Sequence, residues 1–310
     1  MTPTPQELAP GLFFCQRGWL SANHFVFSHH GEITLLDSGY LDQADETLAL
    51  IARAGAPPDR VARIITSHAH CDHVGAHAII HQRSGCRIAA SQACRLAVER
   101  ADAWACWPAY YGQAYRFFPV HESLAEGEVL RLAGLDWTVL ELPGHAAGQL
   151  GFFCLENGWL ISADATWDGD FGGLTLRIEG WDAPLRQRES LRRLARLPVT
   201  RILPGHGPVI DEPAAALARC LERVELFIAE PRRLAEDQVR KILLYHLLMK
   251  GPVGREELWR FELGLPWLAE TCVTWLLQPP RDVFDRFLDE LLERGLASEY
   301  AGRLAANLPA

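Results

Sequence analysis

The sequence predicts a layered α/β domain followed by a helical C-terminal module, and three observations carry that reading. Over roughly residues 10–210, short β-like runs alternate with helical stretches, the pattern of sheets covered by helices. Several of the β-like runs end directly in loops that hold histidine and aspartate. After Pro208 the texture changes, and from about Pro213 to Arg294 almost everything reads as amphipathic helix.

Taken in order, strands are expected at Leu12–Cys15, Phe25–Ser28, Ile33–Asp37, Arg63–Thr66, Ile88–Ala90, Thr138–Leu142, Gly151–Cys154, Trp159–Ser162 and Arg201–Leu203. Helices are expected at Asp42–Arg53, Ala76–Ser84, Gln92–Arg100 and Leu185–Arg196, where apolar residues recur three and four apart. In the C-terminal stretch Pro231, Gly251–Pro252 and Pro279–Pro280 act as punctuation, and Leu296 to Ala305 reads as a hairpin turning at Ala301–Gly302. Three helices followed by a small hairpin suggest a winged-helix-like module. The expected division is therefore 1–212 for the catalytic domain and 213–310 for the helical module.

Winged-helix modules often bind DNA, so the charge of this one matters. From Pro213 onward there are 13 Arg/Lys against 15 Asp/Glu, and the whole chain carries a net charge of −9. The electrostatic footprint of a nucleic-acid binder is missing, so a packing or lid-forming role is expected for the module. No apolar run approaches the roughly 18–20 residues that a membrane span needs. Met1 to Pro10 lacks the basic start and apolar core of a secretory signal. The eight cysteines are scattered with no CxxC pair, which fits reduced thiols. A cytoplasmic protein is the expectation.

The chemistry is concentrated in Thr66-Ser67-His68-Ala69-His70-Cys71-Asp72-His73. Four potential metal ligands fall within six residues, directly after an apolar strand. In extended geometry His68 and His70 point the same way, and Asp72 and His73 fall in the turn that opens the next helix. Imidazole and carboxylate suit borderline divalent ions such as zinc, and two ligand pairs side by side invite two ions. Four residues cannot fill two coordination spheres. His145 in Leu-Pro-Gly-His, Asp164 in Ile-Ser-Ala-Asp and His206 in Leu-Pro-Gly-His-Gly are the further candidates, each just after an expected strand. Glycines beside the histidines allow sharp turns and a close approach of the backbone. Cys71 lies between ligands and is read as a packing or supporting residue.

In this order, HxHxDH, PGH, SAD and PGHG resemble the metallo-β-lactamase superfamily over roughly residues 10–210, with the glyoxalase-II-like, thioesterase-like and lactonase-like members most similar. The resemblance implies a four-layer αββα sandwich carrying the C-terminal helical, winged-helix-like module. It also implies two divalent metal ions, zinc first, although iron and manganese accept the same ligands. His68, His70 and His145 would hold one ion and Asp72, His73 and His206 the other, with Asp164 bridging. Asp37, in Asp-Ser-Gly, matches a short motif near the metal loop and would orient a ligand; the alternative is a helix N-cap. Ala163 stands where many relatives have glycine.

The implied reaction is attack of a metal-bridging hydroxide on the carbonyl of a small ester-like substrate, a thioester or a lactone. Asp72 and Asp164 would be the catalytic carboxylates, with Asp72 moving the proton. The stretch 103–119 is dense in aromatics, which suits either a flap over an apolar pocket or a core insert. Trp104, Trp107, Tyr110 and Tyr111, with Trp19 and Trp167, are the pocket candidates. The expected partner is a small-molecule substrate, an acyl thioester among the candidates, without nucleic acid or membrane; a homodimer is a candidate assembly. Two rival functions stand beside this one: a metal-dependent nuclease or phosphodiesterase, and a ligand-binding regulatory protein with little turnover.

Overall fold

A computed structural model describes residues 4–309. Residues 1–3 and 310, the outer ends of the two expected segments, lie outside them. Strands β1 (Gln6–Ala9), β2 (Leu12–Cys15), β3 (His24–His29), β4 (Glu32–Leu36), β5 (Arg63–Ile65), β6 (Arg87–Ser91) and β7 (Glu122–Leu124) form a seven-stranded sheet in chain order. A second, five-stranded sheet runs β8 (Val129–Leu132), β9 (Leu135–Glu141), β10 (Leu150–Cys154), β11 (Trp159–Ala163) and β12 (Arg201–Pro204). Pairing is parallel from β4 through β7 and between β11 and β12, and antiparallel elsewhere in the two sheets.

Side-chain alternation builds the layers. Phe25, Phe27, Leu36, Ile65 and Ala89 point from the first sheet toward Trp137, Val139, Phe152, Ile161 and Leu203 of the second, and together they fill the space between the sheets. Their strand neighbours Val26, Leu35, Ile64 and Ile88 point the other way, onto α1 (Ala44–Arg53), α3 (His77–Ser84) and α4 (Gln92–Glu99). The second sheet does the same on its far side. Phe153, Leu160 and Ile202 meet α7 (Ala183–Leu194) and α8 (Pro213–Ala229). The result is the expected αββα sandwich. Each fully buried Phe in it contributes roughly 1.5–3 kcal/mol relative to an exposed one.

All nine expected strands are present, Leu12–Cys15 with the expected ends and the other eight with one or both ends shifted, and β1, β7 and β8 are additional. Those three are short or at sheet edges; β1 and β7 lack an apolar run, whereas β8 alternates exposed and buried along Val129–Leu132. Short helices α2 (Cys71–Val74), α5 (Pro108–Tyr111) and α6 (Leu176–Glu179) punctuate the loops.

Beyond α8 come α9 (Pro231–Lys250), α10 (Arg255–Leu263), α11 (Pro266–Thr271), a π-helical turn at Cys272–Leu276, α12 (Pro280–Glu293) and the hairpin β13 (Ala297–Tyr300) and β14 (Arg303–Ala306). The segment between Gly251 and Pro279 is broken further, because Gly264 and Pro266 end α10 and restart the chain as α11. Val253 bridges Leu304, adding a short third edge to the hairpin. These elements share one apolar cluster with Trp107, Tyr110 and Tyr111. The apolar face of α8 packs instead with the second sheet. Among the described residues no helix is long and apolar enough to cross a membrane.

Candidate metal centre

The histidines and aspartates gather where strands end. β5 runs out at Ile65 into the loop carrying His68 and His70, and α2 then presents Asp72 and His73. His145 follows β9, Asp164 follows β11 and His206 follows β12. All of them are at most 5 % exposed. Three triads have ligand atoms within 4.8 Å of one another: His68, His70 and His145; His68, His73 and Asp164; Asp72, His73 and His206. Cys71 is in none of them; its thiol donates to Gln113 Oε1 at 2.6 Å.

Asp164 faces both groups. Its Oδ1 lies 3.3 Å from His73 Nε2 and 3.9 Å from His206 Nε2, while Oδ2 lies 3.5 Å from His145 Nε2. Asp72 Oδ2 is 3.2 Å from His206 Nε2, and His70 Nδ1 is 2.8 Å from His145 Nε2. Ala163, just before Asp164, has φ of +45°, the left-handed region in which glycine carries no penalty. Gly205 is required for a different reason. A Cβ there would sit 2.3 Å from Asp164 Oδ1.

The ring orientations are fixed from behind. Asp37 Oδ1 accepts the Ser67 N–H at 2.8 Å, and Oδ2 accepts Ser67 Oγ at 2.7 Å and His73 Nδ1 at 2.8 Å. Its side chain thus serves the metal loop, and Tyr40, not Asp37, precedes the next helical turn. His145 Nδ1 donates to the Gly173 carbonyl at 2.7 Å. Both contacts leave Nε2 facing the cluster. Burial drives the pKa of His68 and His70 well below that of a free histidine, with neighbouring imidazoles adding to the effect, so these rings are neutral. Burial also opposes charge on His73, but Asp164, Asp37 and Asp72 outweigh it and raise its pKa. Burial pushes the Asp164 carboxyl up, and His73 and His206 overcome that, holding it well below the ordinary carboxylate range.

Nε2 of His68, His70 and His73 and Nδ1 of His206 are buried with no hydrogen-bond partner. Buried polar atoms are ordinarily paired, so the orphaned nitrogens of the neutral His68 and His70 rings, beside the carboxylates of Asp72 and Asp164, fit a divalent cation, whose ligands must be deprotonated.

Aromatic rings wall the cluster. Trp107 lies flat on His70, centroids 3.6 Å apart and planes 22° apart. Trp19 is parallel to His206 at 5.8 Å, and Trp167 meets the same ring edge-on at 5.0 Å. A cavity of about 240 Å³ opens over the metal side, with Trp19, Trp107, Tyr111 and Trp167 in its lining. Trp104 and Tyr110 are elsewhere. Trp104 is 38 % exposed and packs on Tyr110 and under Arg177, and Tyr110 lines a neighbouring groove, because the turn at α5 sends alternate aromatics to opposite sides. Sequence reasoning missed the opposite wall, supplied by Gln238, Lys241, Ile242, Tyr245 and Leu248 of α9. Their spacing of three and four is a single helix face, a signal present in the sequence but indistinguishable there from a core-facing stripe.

The metallo-beta-lactamase superfamily pattern matches residues 17–206. The chain is 30 % identical over 191 residues to a hydroxyacylglutathione hydrolase of Cereibacter sphaeroides, covering 60 % of this chain and 63 % of that protein. It is 27 % identical over 237 residues to one of Methylococcus capsulatus, covering 73 % and 81 %. The match to the first of these spans a little under two thirds of that relative's length. A metallo-beta-lactamase family protein from Thermus thermophilus aligns over 97 % of this chain and all of its own with a TM-score of 0.61 at 20 % identity. A beta-lactamase domain protein from Burkholderia ambifaria aligns over 99 % and 96 % with a TM-score of 0.63 at 17 % identity. The chain belongs to the metallo-β-lactamase superfamily.

Proposed function

We propose that this protein is a dinuclear metal-dependent hydrolase of small ester-like substrates, thioesters or lactones. The observation that carries the reading is the position of Asp164, whose two carboxylate oxygens face different imidazole groups. His68, His70 and His145 would hold one ion, Asp72, His73 and His206 the other, and Asp164 would bridge; zinc is the metal expected of this donor set. The hydroxyacylglutathione hydrolases among its relatives support hydrolysis of a carboxyl derivative.

A bound pair of divalent ions lowers the pKa of water toward neutrality and polarises the substrate carbonyl. The chain's own residues do the rest. Asp37 and the Gly173 carbonyl fix the tautomers of His73 and His145. Trp167 donates its indole N–H to Asp164 Oδ1 at 3.2 Å, orienting the bridging carboxylate. Asp72 takes the proton of the attacking water at its carboxylate and returns it to the leaving group. The carbonyl carbon gains the water oxygen, its bond to sulfur or alkoxy oxygen breaks, and a carboxylic acid and a thiol or alcohol result. Trp107 and Tyr245 line the cavity. The segment 213–310 contributes α9 and Leu308 to that cavity, which supports a covering role for it.

Hydrolysis of an acyl thioester, a lactone, a phosphodiester and a β-lactam by the metal-loaded protein tests the reading. Turnover of the carboxyl substrates is expected. Turnover of the phosphodiester alone contradicts it, as does a metal-loaded protein that turns over none of the four.

A further inference from the structure

The ammonium and phenol tips that face the cavity are already occupied by the protein itself. Among the described residues Lys241 is the only lysine or arginine lining it. An ammonium group has three N–H donors, and Lys241 Nζ meets three acceptors: Asp170 Oδ1 at 2.9 Å, the Phe171 carbonyl at 2.8 Å and Asp237 Oδ2 at 3.1 Å. None is left for a ligand. Tyr111 OH accepts from Gln238 Nε2 at 2.8 Å and is shared with Thr175 Oγ1 at 2.8 Å, and Tyr245 OH donates to the Leu20 carbonyl at 3.0 Å. The remaining wall is apolar, built of Trp19, Trp107, Trp167, Ile242, Leu248 and Leu308. The lining carries three carboxylates, those of Asp72, Asp164 and Asp170. In the adjoining groove Arg177 is paired with Glu270 at 3.5 Å.

We propose that the substrate of this cavity is an uncharged, apolar acyl derivative, and that the anionic glutathione thioesters named for its relatives are poor ligands. This rests on the hydrolase reading and names its substrate class. A carboxylate brought against this wall gives up water without gaining a free lysine or arginine from it, and it meets the carboxylate of Asp170. The size agrees. About 240 Å³ lies below the roughly 300–1,000 Å³ that holds a drug-sized ligand, room for a short acyl chain or one aromatic ring.

Two thioethers with the same alkyl group compare a small uncharged headgroup with the larger anionic one: S-hexyl-N-acetylcysteamine, uncharged, and S-hexylglutathione, anionic. Neither contains a thioester, so their binding to the metal-loaded protein, read by tryptophan fluorescence, is independent of turnover. A failure here is therefore distinct from a failure of the hydrolysis panel. The uncharged probe is expected to bind at least about tenfold tighter. L248K, which adds a cation with free donors to the wall, is expected to reverse that order. Equal affinities, tighter binding of S-hexylglutathione to the native protein, or binding of neither probe would overturn the proposal.

Discussion

Trp167 donates its indole N–H to Oδ1 of Asp164 at 3.2 Å, while the Lys241 ammonium sits over the same indole ring, 5.5 Å from its centroid. The contact joins α9 of the C-terminal segment to the carboxylate between the two histidine groups. Groups that orient metal ligands are worth about 10–100-fold in metal affinity or activity. Trp167→Phe keeps the ring and removes the donor. It should weaken metal binding by about tenfold with an unchanged circular dichroism spectrum, measured by competition with a chelator; unchanged affinity would show that the N–H does not orient Asp164.

Asp37→Asn is expected to act at the other side of the cluster. The carboxylate accepts three hydrogen bonds, from Ser67 N, Ser67 Oγ and His73 Nδ1. An amide replaces one acceptor oxygen with a donor and loses the charge that fixes the His73 tautomer. Metal affinity should fall by about 10–100-fold, and the ion held by Asp72, His73 and His206 should be lost first in a stepwise chelator titration. Loss of both ions together would assign Asp37 a wider role than this account gives it.

Gly205→Ala tests the close approach of two loops. The added methyl would lie 2.3 Å from Asp164 Oδ1 and 2.9 Å from the Ala163 backbone carbon, so the carboxylate or the His206 loop must shift. Activity should drop at least about tenfold, since a displacement near 1 Å at a catalytic group costs up to about a hundredfold. Wild-type activity would mean that the loop relaxes freely.

How much of this was legible in the sequence follows from what each signal depends on. HxHxDH, PGH, SAD and PGHG are local, and each abuts an expected strand, so the seven converging side chains could be named from the sequence; alternation gave a layered α/β domain, and the αββα order came from the resemblance those motifs carry. The cavity could not. Trp104 and Trp107 are three residues apart in one punctuated segment, yet one is half-exposed under Arg177 and the other covers His70; the turn geometry that separates them includes φ of +78° at Trp107, which no pattern announces for a bulky residue. Ile242 and Leu248 look like core positions because the cavity they line is itself an apolar surface. Lys241, one of only two lysines in the chain, reveals its role only through Asp170, 71 residues away.

The pH dependence of stability should carry a mark of Glu179, away from the metal cluster. Burial raises its carboxyl from the usual 4.5 to about 7, against the opposing pull of Arg186. Between those values the folded chain holds a proton that the unfolded chain has released, so the contribution of Glu179 to stability is fully present below about pH 4.5 and is lost as pH rises toward 7. The full loss is up to about 3 kcal/mol. Glu179→Gln should remove that slope, with a smaller decline between pH 5 and 8 in urea midpoints of metal-free protein. Parallel curves for the two proteins would rule the effect out.

The central claim is that this chain holds two divalent ions between its histidine groups. Elemental analysis of protein purified without added metal, alongside Asp164→Ala, tests it most directly. About two ions per chain are expected in the native protein, with loss of both metal and turnover in the variant. A native protein free of metal, or a variant that keeps its ions and its activity, would contradict it.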